Sequence, residues 1–119
     1  MKWHHVGIEV KNISESIRFY QNYFGLEIEE ELEWEDETVI FMGKGPVRIE
    51  LIQVHNEIVT SVQDSSVHFS WEVETISGWI DTLGGKGLIP VEGPIKLENG
   101  WQTVFYEGPT QEVIELIQR

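Results

Sequence analysis

Residues His5–Ser14 read HVGIEVKNIS, and residues His68–Ser77 read HFSWEVETIS. Both segments fit the pattern H-x-x-x-E-V-x-x-I-S, at an offset of 68 − 5 = 63 residues. The first part of each segment alternates in polarity, which is typical of a β-strand with one buried face. The following isoleucine and serine open a stretch whose apolar residues recur every three to four positions, as in a helix. The pattern therefore predicts a strand followed by a helix, twice in the chain.

The repeat continues to the end of each half. The pentapeptide IELIQ occurs at Ile49–Gln53 and at Ile114–Gln118, and a Gly-Pro pair precedes each copy. The Gly-Pro pairs are 108 − 45 = 63 residues apart, whereas the pentapeptides are 114 − 49 = 65 residues apart. Two additional residues therefore lie between the second Gly-Pro pair and its strand. A strand, a helix and a strand that match in order at nearly one offset indicate an internal duplication.

Each half is predicted to contain a strand, a helix and three further strands. The elements of the first half are expected at Trp3–Val10, Ser14–Phe24, Glu27–Trp34, Thr38–Met42 and Val47–Val54. Those of the second half are expected at Val67–Val73, Ser77–Leu83, Leu88–Val91, Trp101–Glu107 and Glu112–Ile117. The sequence thus predicts a single domain over residues 1–119, with modules at about 1–54 and 66–119 and a polar connector at 55–65.

Composition and charge exclude several classes of partner and site. The 119 residues carry a formal net charge of −13, which repels phosphate groups, so neither nucleic acid nor an anionic membrane surface is expected as a partner. There is no cysteine, so a bound metal must take histidine, carboxylate or water as ligands. No apolar run reaches the roughly 18 residues of a membrane span. The N-terminal residues lack an apolar signal core, and we expect a cytoplasmic protein.

Strand alternation places one histidine and one glutamate of each half on the sheet face opposite the helix. These are His5 and Glu50 in the first half, and His68 and Glu115 in the second. Taken singly, a glutamate within a strand is usually solvated, and a histidine is usually an ordinary surface or core residue. Because both halves contribute the same pair, pseudo-twofold symmetry is expected to bring all four side chains to one place.

Two imidazoles and two carboxylates provide four ligands for a divalent first-row metal, with water or substrate oxygens completing the coordination. This set favours Ni²⁺, Co²⁺, Mn²⁺, Fe²⁺ or a higher-coordinate Zn²⁺ over a closed structural zinc site. Such an ion polarises a bound oxygen as a Lewis acid. Gly7 and Ser70, two residues after the histidines, are small and are expected to leave room for substrate. Simple packing tolerance accounts for them as well.

Three other residues bear on the site. Arg48 shares the predicted face of Glu50 and is a candidate for binding an anionic group of a substrate. An ion pair with a nearby glutamate is an equally good interpretation of this arginine. His4 and His55 have no counterpart in the repeat, and we expect both to lie outside the site.

Three long segments carry a family resemblance. HVGIEVKNISESIRFYQNYFGLEI (5–28), VHFSWEVETISGWIDTLGGKGL (67–88) and FYEGPTQEVIELIQ (105–118) resemble the vicinal oxygen chelate superfamily of glyoxalases, bleomycin-resistance proteins and dioxygenases. The resemblance implies an α+β fold in which two tandem βαβββ modules form a half-open barrel around a divalent metal. Ligands in that family come from the first and last strands of each module. The corresponding residues are His5, Glu50, His68 and Glu115.

The four-ligand set is similar to that of glyoxalase I, which implies a lyase or isomerase of that type. Its substrate would be a small carbonyl or hemithioacetal-like compound that reacts through a metal-stabilised enediolate. We expect Glu115 first and Glu50 second as the carboxylate that moves the proton, because a base that can leave the metal suits this role. A non-catalytic, drug-binding protein of the bleomycin-resistance type is the alternative. A dioxygenase is less compatible with a fourth protein ligand.

The expected fold also bears on the oligomeric state. Half-open barrels leave sheet edges and apolar surface that require cover, and the family commonly pairs modules across subunits, so we expect a homodimer. The family's usual Asp-Pro-x-Gly-Asn turn before the last strand is replaced here by Gly-Pro-Thr-Gln-Glu at residues 108–112. This departure leaves the geometry of the turn open. The sequence shows no cluster of cations that would bind the carboxylates of glutathione.

Overall fold

A computed structural model of the chain describes residues 2–34, 36–55 and 67–119. The chain divides into two compact units, Met1–Gln63 and Asp64–Arg119. The first unit contains β1 (Val6–Glu9), α1 (Ile13–Phe24), β2 (Glu27–Trp34), β3 (Glu37–Lys44) and β4 (Val47–Val54). The second contains β5 (His68–Glu72), α2 (Ile76–Gly85), β6 (Glu92–Lys96), β7 (Gln102–Glu107) and β8 (Val113–Gln118). The predicted fold class, an α+β chain with a βαβββ module repeated twice, is confirmed.

Each module forms one open, four-stranded mixed sheet. The strand order is β1-β4-β3-β2 in the first module and β5-β8-β7-β6 in the second. The first and last strands of a module pair in parallel, and the other neighbouring strands pair antiparallel. This order places the beginning of each module, where the histidine lies, directly beside the strand that carries the glutamate.

Burial along the last strand of each module follows the predicted alternation. Ile49 and Leu51 are 1% and 0% exposed, whereas Glu50 between them is only partly buried. Ile114 and Leu116 are fully buried on either side of Glu115 in the same way. Burying one such aliphatic side chain contributes roughly 1.5–3 kcal/mol, so a shift of one residue in register would be strongly unfavourable. The core therefore fixes the face on which each glutamate appears.

The final glutamine of each IELIQ copy caps the helix of its own module. Gln53 Oε1 accepts a hydrogen bond from the backbone N–H of Ile13 at 2.8 Å, and Gln118 Oε1 accepts one from Ile76 at 2.9 Å. The first backbone N–H groups of a helix have no partner within the helix and need such acceptors. α1 has a second cap, because the Asn12 side chain accepts from the N–H of Glu15, whereas α2 has no side-chain cap bond at its N-cap residue.

Gln118→Ala is expected to lower the free energy of unfolding by about 1 kcal/mol, the usual net value of one such hydrogen bond. Gln53→Ala should cost less, because Asn12 still caps α1. Gln118→Glu is the matched control, since it keeps an acceptor oxygen and adds a negative charge near the positive end of the helix dipole. Urea unfolding monitored by circular dichroism measures all three. Equal stability of Gln118→Ala and the wild type would contradict the capping role.

The turn before β8 has the sequence Gly-Pro-Thr-Gln-Glu at residues 108–112, in place of the Asp-Pro-x-Gly-Asn turn discussed above. Gln111 takes a left-handed conformation with φ of 66°, which glycine usually adopts more easily. Glu112 is fully buried, and its carboxylate accepts a hydrogen bond from the backbone N–H of Thr110 at 2.9 Å. The same carboxylate occupies the space into which a side chain at Gly108 would project. The Glu112 side chain thus occupies the space beside Gly108. Its hydrogen bond with Thr110 stabilises the turn that leads into β8.

One predicted strand is wrong. A strand was expected at Leu88–Val91, but the strand lies at Glu92–Lys96. This segment contains Gly93-Pro94, and such a pair is typical of a turn. Within this sheet β6 is an edge strand paired with β7, where proline is tolerated because its missing N–H can face the open side. A register shift between Glu92 and Ile95 accommodates it.

Two further differences concern chain segments at the ends of strands. β1 begins at Val6 rather than at Trp3, so His5 immediately precedes the strand. The predicted connector at 55–65 lies outside the described residues, apart from His55.

Neither α1 nor α2, the helices of the described ranges, has the length and apolar character needed to cross a membrane.

Candidate metal centre

The first module brings His5 and Glu50 together. Gly7 is the register partner of Glu50 across β1 and β4, and His5, just before β1, comes beside this carboxylate. His5 Nε2 lies 3.4 Å from Glu50 Oε2, and the two side chains are 31% and 19% exposed. Phe41, the register partner of Glu50 on β3, meets the His5 ring edge-on at a centroid distance of 5.1 Å. The pair is therefore ordered by its neighbours and still reachable from solvent.

The second module builds the same arrangement from His68 and Glu115. His68 Nε2 lies 2.9 Å from Glu115 Oε2, and the side chains are 50% and 14% exposed. Phe105 is the register partner of Glu115, and its ring lies 5.9 Å from that of His68. Phe105 thus occupies the position that Phe41 has in the first module. The internal repeat extends from the two predicted ligands to their aromatic neighbour.

The donor atoms of each pair have a spacing that suits a shared metal ion. Metal bonds of about 2.0–2.2 Å to histidine nitrogen and carboxylate oxygen place two neighbouring ligand atoms roughly 3 Å apart. The distances of 3.4 Å and 2.9 Å fit this requirement. Within residues 2–34, 36–55 and 67–119, no group of three or more histidine, aspartate or glutamate side chains with metal-binding geometry occurs. The structure therefore presents the four predicted ligands as two pairs.

The two glutamates differ in their hydrogen bonds. Thr103 Oγ1 donates to Glu115 Oε1 at 2.5 Å, and the side chains of Ser70 and His68 also hydrogen-bond to this carboxylate. Burial raises the pKa of Glu115, but the hydrogen bonds from Thr103, His68 and Ser70 together outweigh it, so the pKa lies below its ordinary value. The charged form of Glu115 is thus stabilised in the folded chain.

This lowered pKa predicts a pH dependence for the metal-free protein. A carboxylate whose folded-state pKa is depressed contributes stability above its unfolded pKa, and the contribution is lost as pH falls through the folded pKa. The free energy of unfolding of the wild type, relative to Glu115→Gln, should therefore decline once pH drops below the ordinary value of 4.5. Urea titrations with a chelator at pH 3 to 7 measure this difference. A difference that stays constant over this range would contradict the hydrogen-bonded carboxylate.

His4 contacts the ring of His5, and Arg48 contacts the backbone of His4. His4 Nδ1 lies 2.7 Å from His5 Nδ1, so one ring donates a hydrogen bond to the other. The expectation that His4 lies outside the ligand set stays a prediction, and strand alternation does not orient His4 because β1 begins at Val6. Arg48 Nη1 donates to the carbonyl oxygen of His4 at 3.3 Å, and Arg48 Nε donates to Glu29 Oε2 at 2.7 Å.

The residues predicted to face substrate have distinct surroundings. Arg48 forms an ion pair with a glutamate, which was one of its two interpretations, and its role toward a substrate stays a prediction. A Cβ atom added at Gly7 would lie 3.2 Å from Glu50 Oε1 and 3.7 Å from Ile52 Cδ1. Glycine therefore leaves the Glu50 carboxylate open above β1. Ser70 is the register partner of Glu115, as Gly7 is of Glu50, and its hydroxyl hydrogen-bonds to that carboxylate.

Thr103 is a residue that the sequence reasoning missed. It is 2% exposed and lies on β7, two residues before Phe105. Its register partner is Ile117, just as Val39 is the partner of Ile52 in the first module. Aligning the two repeats therefore pairs Thr103 with Val39 and, with strand alternation, places its hydroxyl on the face of Glu115. This pairing rests on the strand registers, which the structure supplies and the sequence alone does not.

Comparison with known proteins agrees with this fold. A family model described as the Glyoxalase/Bleomycin resistance protein/Dioxygenase superfamily matches residues 4–105. Among proteins of curated function, none matches the chain. Many solved structures are similar, and glyoxalase I from Zea mays superposes with a TM-score of 0.82 at 22% identity. The alignment covers 99% of this chain but 44% of the maize chain, so the chain spans less than half of that enzyme.

Structures of similar length are also found. A glyoxalase family protein from Enterococcus faecalis has a TM-score of 0.81 at 20% identity, with 98% of this chain and 96% of that chain covered. An integron cassette protein from the mobile metagenome of a Halifax Harbour sewage outfall has a TM-score of 0.74 at 22% identity, with 97% and 96% covered. At these identities the likeness concerns the fold, whereas the family model spans most of the sequence. The chain belongs to the glyoxalase/bleomycin resistance protein/dioxygenase superfamily.

Proposed function

We propose that the chain is a metal-dependent lyase or isomerase of the glyoxalase I type, acting on a small carbonyl or hemithioacetal-like substrate. The observation that carries this proposal is the repeated pair: a histidine nitrogen and a glutamate oxygen 3.4 Å apart in one module and 2.9 Å apart in the other. A drug-binding protein without a metal has no need of this duplication. Membership in a superfamily that includes glyoxalases supports the choice of reaction class.

The residues that would hold the metal are the four predicted ligands, His5, Glu50, His68 and Glu115. The four come from one chain or from two chains of a homodimer. With two carboxylates and two neutral imidazoles, a bound dication is formally neutralised, and the donor set suits Ni²⁺, Zn²⁺, Co²⁺, Mn²⁺ or Fe²⁺. When bound, the ion supplies Lewis-acid polarisation of substrate oxygens.

The glutamates supply the proton transfer. The carboxylate of one of them takes the proton from the carbon beside the substrate carbonyl, so that a C–H bond breaks and an O–H bond forms. The electron pair left on carbon is delocalised into the carbonyl group. The same carboxylic acid then returns the proton to the neighbouring carbon, while the hydroxyl proton passes from the hydroxyl oxygen to the former carbonyl oxygen. The product is an isomer, and no co-reactant is consumed. Proton transfer by a positioned group typically contributes 10²–10⁴-fold to the rate.

Apolar side chains share the sheet face of Glu50 and are available to contact a substrate. Leu32 pairs with Val39, and Val39 pairs with Ile52, so these three side chains share the face of Glu50. Val39 is 7% exposed, whereas Leu32 is 48% exposed. An exposed apolar side chain beside the acid group can contact a hydrocarbon part of a ligand. This surface also supports the second candidate function, a metal-free protein that binds a drug.

The test is proton exchange at the α-carbon of the hemithioacetal formed from a 2-oxoaldehyde and a small thiol, measured in D₂O with and without Ni²⁺ or Zn²⁺. We expect metal-dependent exchange that a chelator stops. An absence of metal-dependent exchange with any such adduct would overturn the proposed reaction. Metal-free protein that binds a planar drug would instead favour the second candidate.

We also propose that the chain acts as a cytoplasmic homodimer. Within the described residues, side chains such as Trp3, Ile89 and Val91 are 69%, 74% and 59% exposed, and each sheet has open edges. Such surface in a small protein is usually covered by a partner. Sedimentation velocity at micromolar concentration should show a dimer, and a monomer under these conditions would contradict the proposal.

A further inference from the structure

The two glutamates of the proposed site share a repeat position but not a setting. Glu115 Oε1 accepts a hydrogen bond from Thr103 Oγ1 at 2.5 Å, and Ser70 also hydrogen-bonds to this carboxylate. In the first module, Val39 and Gly7 occupy the equivalent positions around Glu50. Neither side chain can donate a hydrogen bond. The duplication therefore retained the ligands and their aromatic neighbours while the hydroxyl donors differ between the halves.

The donors around Glu115 are well placed to fix its carboxylate. Thr103 is 2% exposed, and its hydroxyl also lies 3.3 Å from the carbonyl oxygen of Leu116. Thr103 donates to Oε1, whereas His68 Nε2 approaches Oε2, so the two oxygens have different partners. A carboxylate with both oxygens engaged loses its freedom to rotate or withdraw. Glu115 is thus oriented before a metal arrives, as an outer hydrogen-bond partner orients a ligand in known metal sites.

The carboxylate of Glu50 is less constrained by its neighbours than that of Glu115. Its contact with His5 is longer, at 3.4 Å. Its other oxygen faces the open space above Gly7, where an added Cβ atom would be 3.2 Å away. A carboxylate in this position can shift toward a substrate that approaches over Gly7. A base must reach the proton that it takes, so freedom to move is useful for this residue.

From this asymmetry we infer a division of labour that rests on the proposed function: Thr103 is a positioning residue that holds Glu115 as a fixed ligand, and Glu50 is the carboxylate that moves the proton. This order is the reverse of the one expected from the sequence, which put Glu115 first. The proton leaves the substrate carbon for a Glu50 oxygen and returns to the neighbouring carbon, as described for the proposed reaction. Thr103 touches neither substrate nor metal in this scheme.

The experiment measures Ni²⁺ affinity by chelator competition in matched variants of the full chain. Thr103→Val removes the hydroxyl at similar size and should weaken Ni²⁺ binding about 10–100-fold, the usual effect of losing an outer hydrogen-bond partner. Thr103→Ser keeps the hydroxyl and should bind nearly as the wild type does. Val39→Thr adds the missing donor beside Glu50; it should bind Ni²⁺ at least as tightly as the wild type but exchange the substrate proton more slowly.

A second readout requires no metal. In metal-free protein the hydroxyl hydrogen of Thr103 should exchange slowly with water by NMR, because it is buried and hydrogen-bonded to a carboxylate, and Glu115→Ala should remove this protection. Wild-type protein that binds no Ni²⁺ would overturn both the proposed function and this inference. Wild-type binding together with an equal affinity in Thr103→Val would overturn only the inference. Faster proton exchange in Val39→Thr would also contradict it.

Discussion

His68→Ala and His5→Ala are expected to abolish stable metal binding while the chain stays folded. Each histidine is partly exposed, so its loss leaves little of the core disturbed. Outer-sphere substitutions in metal sites typically cost 10–100-fold in affinity, and removing a ligand itself should cost more than about 100-fold. Metal content after dialysis, with circular dichroism to confirm folding, measures the effect.

His55→Ala is the matched control for these two variants. His55 hydrogen-bonds with the hydroxyl of Thr38 at 2.6 Å and belongs to neither ligand pair. It should retain metal as the wild type does, which separates specific ligation from adventitious binding by any histidine. Loss of metal in His55→Ala together with retention in His5→Ala and His68→Ala would show that the ligand assignment is wrong.

The second large effect is expected from the two glutamates. Glu50→Gln and Glu115→Gln are nearly isosteric, so both should keep the fold, and both should weaken metal retention because an amide oxygen is a weaker ligand than a carboxylate. At saturating metal, however, Glu50→Gln should lose about 10²–10⁴-fold in proton exchange, the typical contribution of a positioned base. Glu115→Gln should lose less, because it keeps the open carboxylate of Glu50.

Exchange rates at saturating Ni²⁺ for the two variants decide this prediction. If Glu115→Gln is the more severely impaired, the order expected from the sequence is correct and Glu115 carries the proton. If Glu50→Gln keeps full metal and full exchange, the first IELIQ copy has a structural role only. A Glu→Gln substitution on a solvated strand would change the free energy of unfolding by less than about 0.5 kcal/mol and would leave metal binding unchanged.

Much of the fold was predictable because the repeat and the strand alternation carry the same information. IELIQ alternates sharply, and the structure buries Ile49, Leu51, Ile114 and Leu116 almost completely. Given those buried neighbours, the face of each glutamate follows from backbone geometry alone. The pairing of each glutamate with its histidine also follows, because the first and last strands of each module are adjacent.

What sequence could not supply depends on contacts between distant segments. β6 contains Gly93-Pro94, and its strand character comes from pairing with β7 rather than from its own residues. The hydrogen bond from Thr103 to Glu115 joins residues on two strands, and threonine in a strand is too common to draw notice. His4 lies before β1, where strand alternation does not apply, and its contact with His5 depends on local backbone geometry.

The most direct test of the account is the metal stoichiometry of the purified wild-type chain. Protein prepared without chelator, loaded with Ni²⁺ or Zn²⁺ and dialysed, should retain one divalent ion per chain, because the proposed function requires two histidines and two glutamates for each ion. Elemental analysis by inductively coupled plasma mass spectrometry gives the value. One ion per chain agrees with the account. No retained metal would contradict the metal centre, and two ions per chain would contradict the sharing of one ion by both pairs.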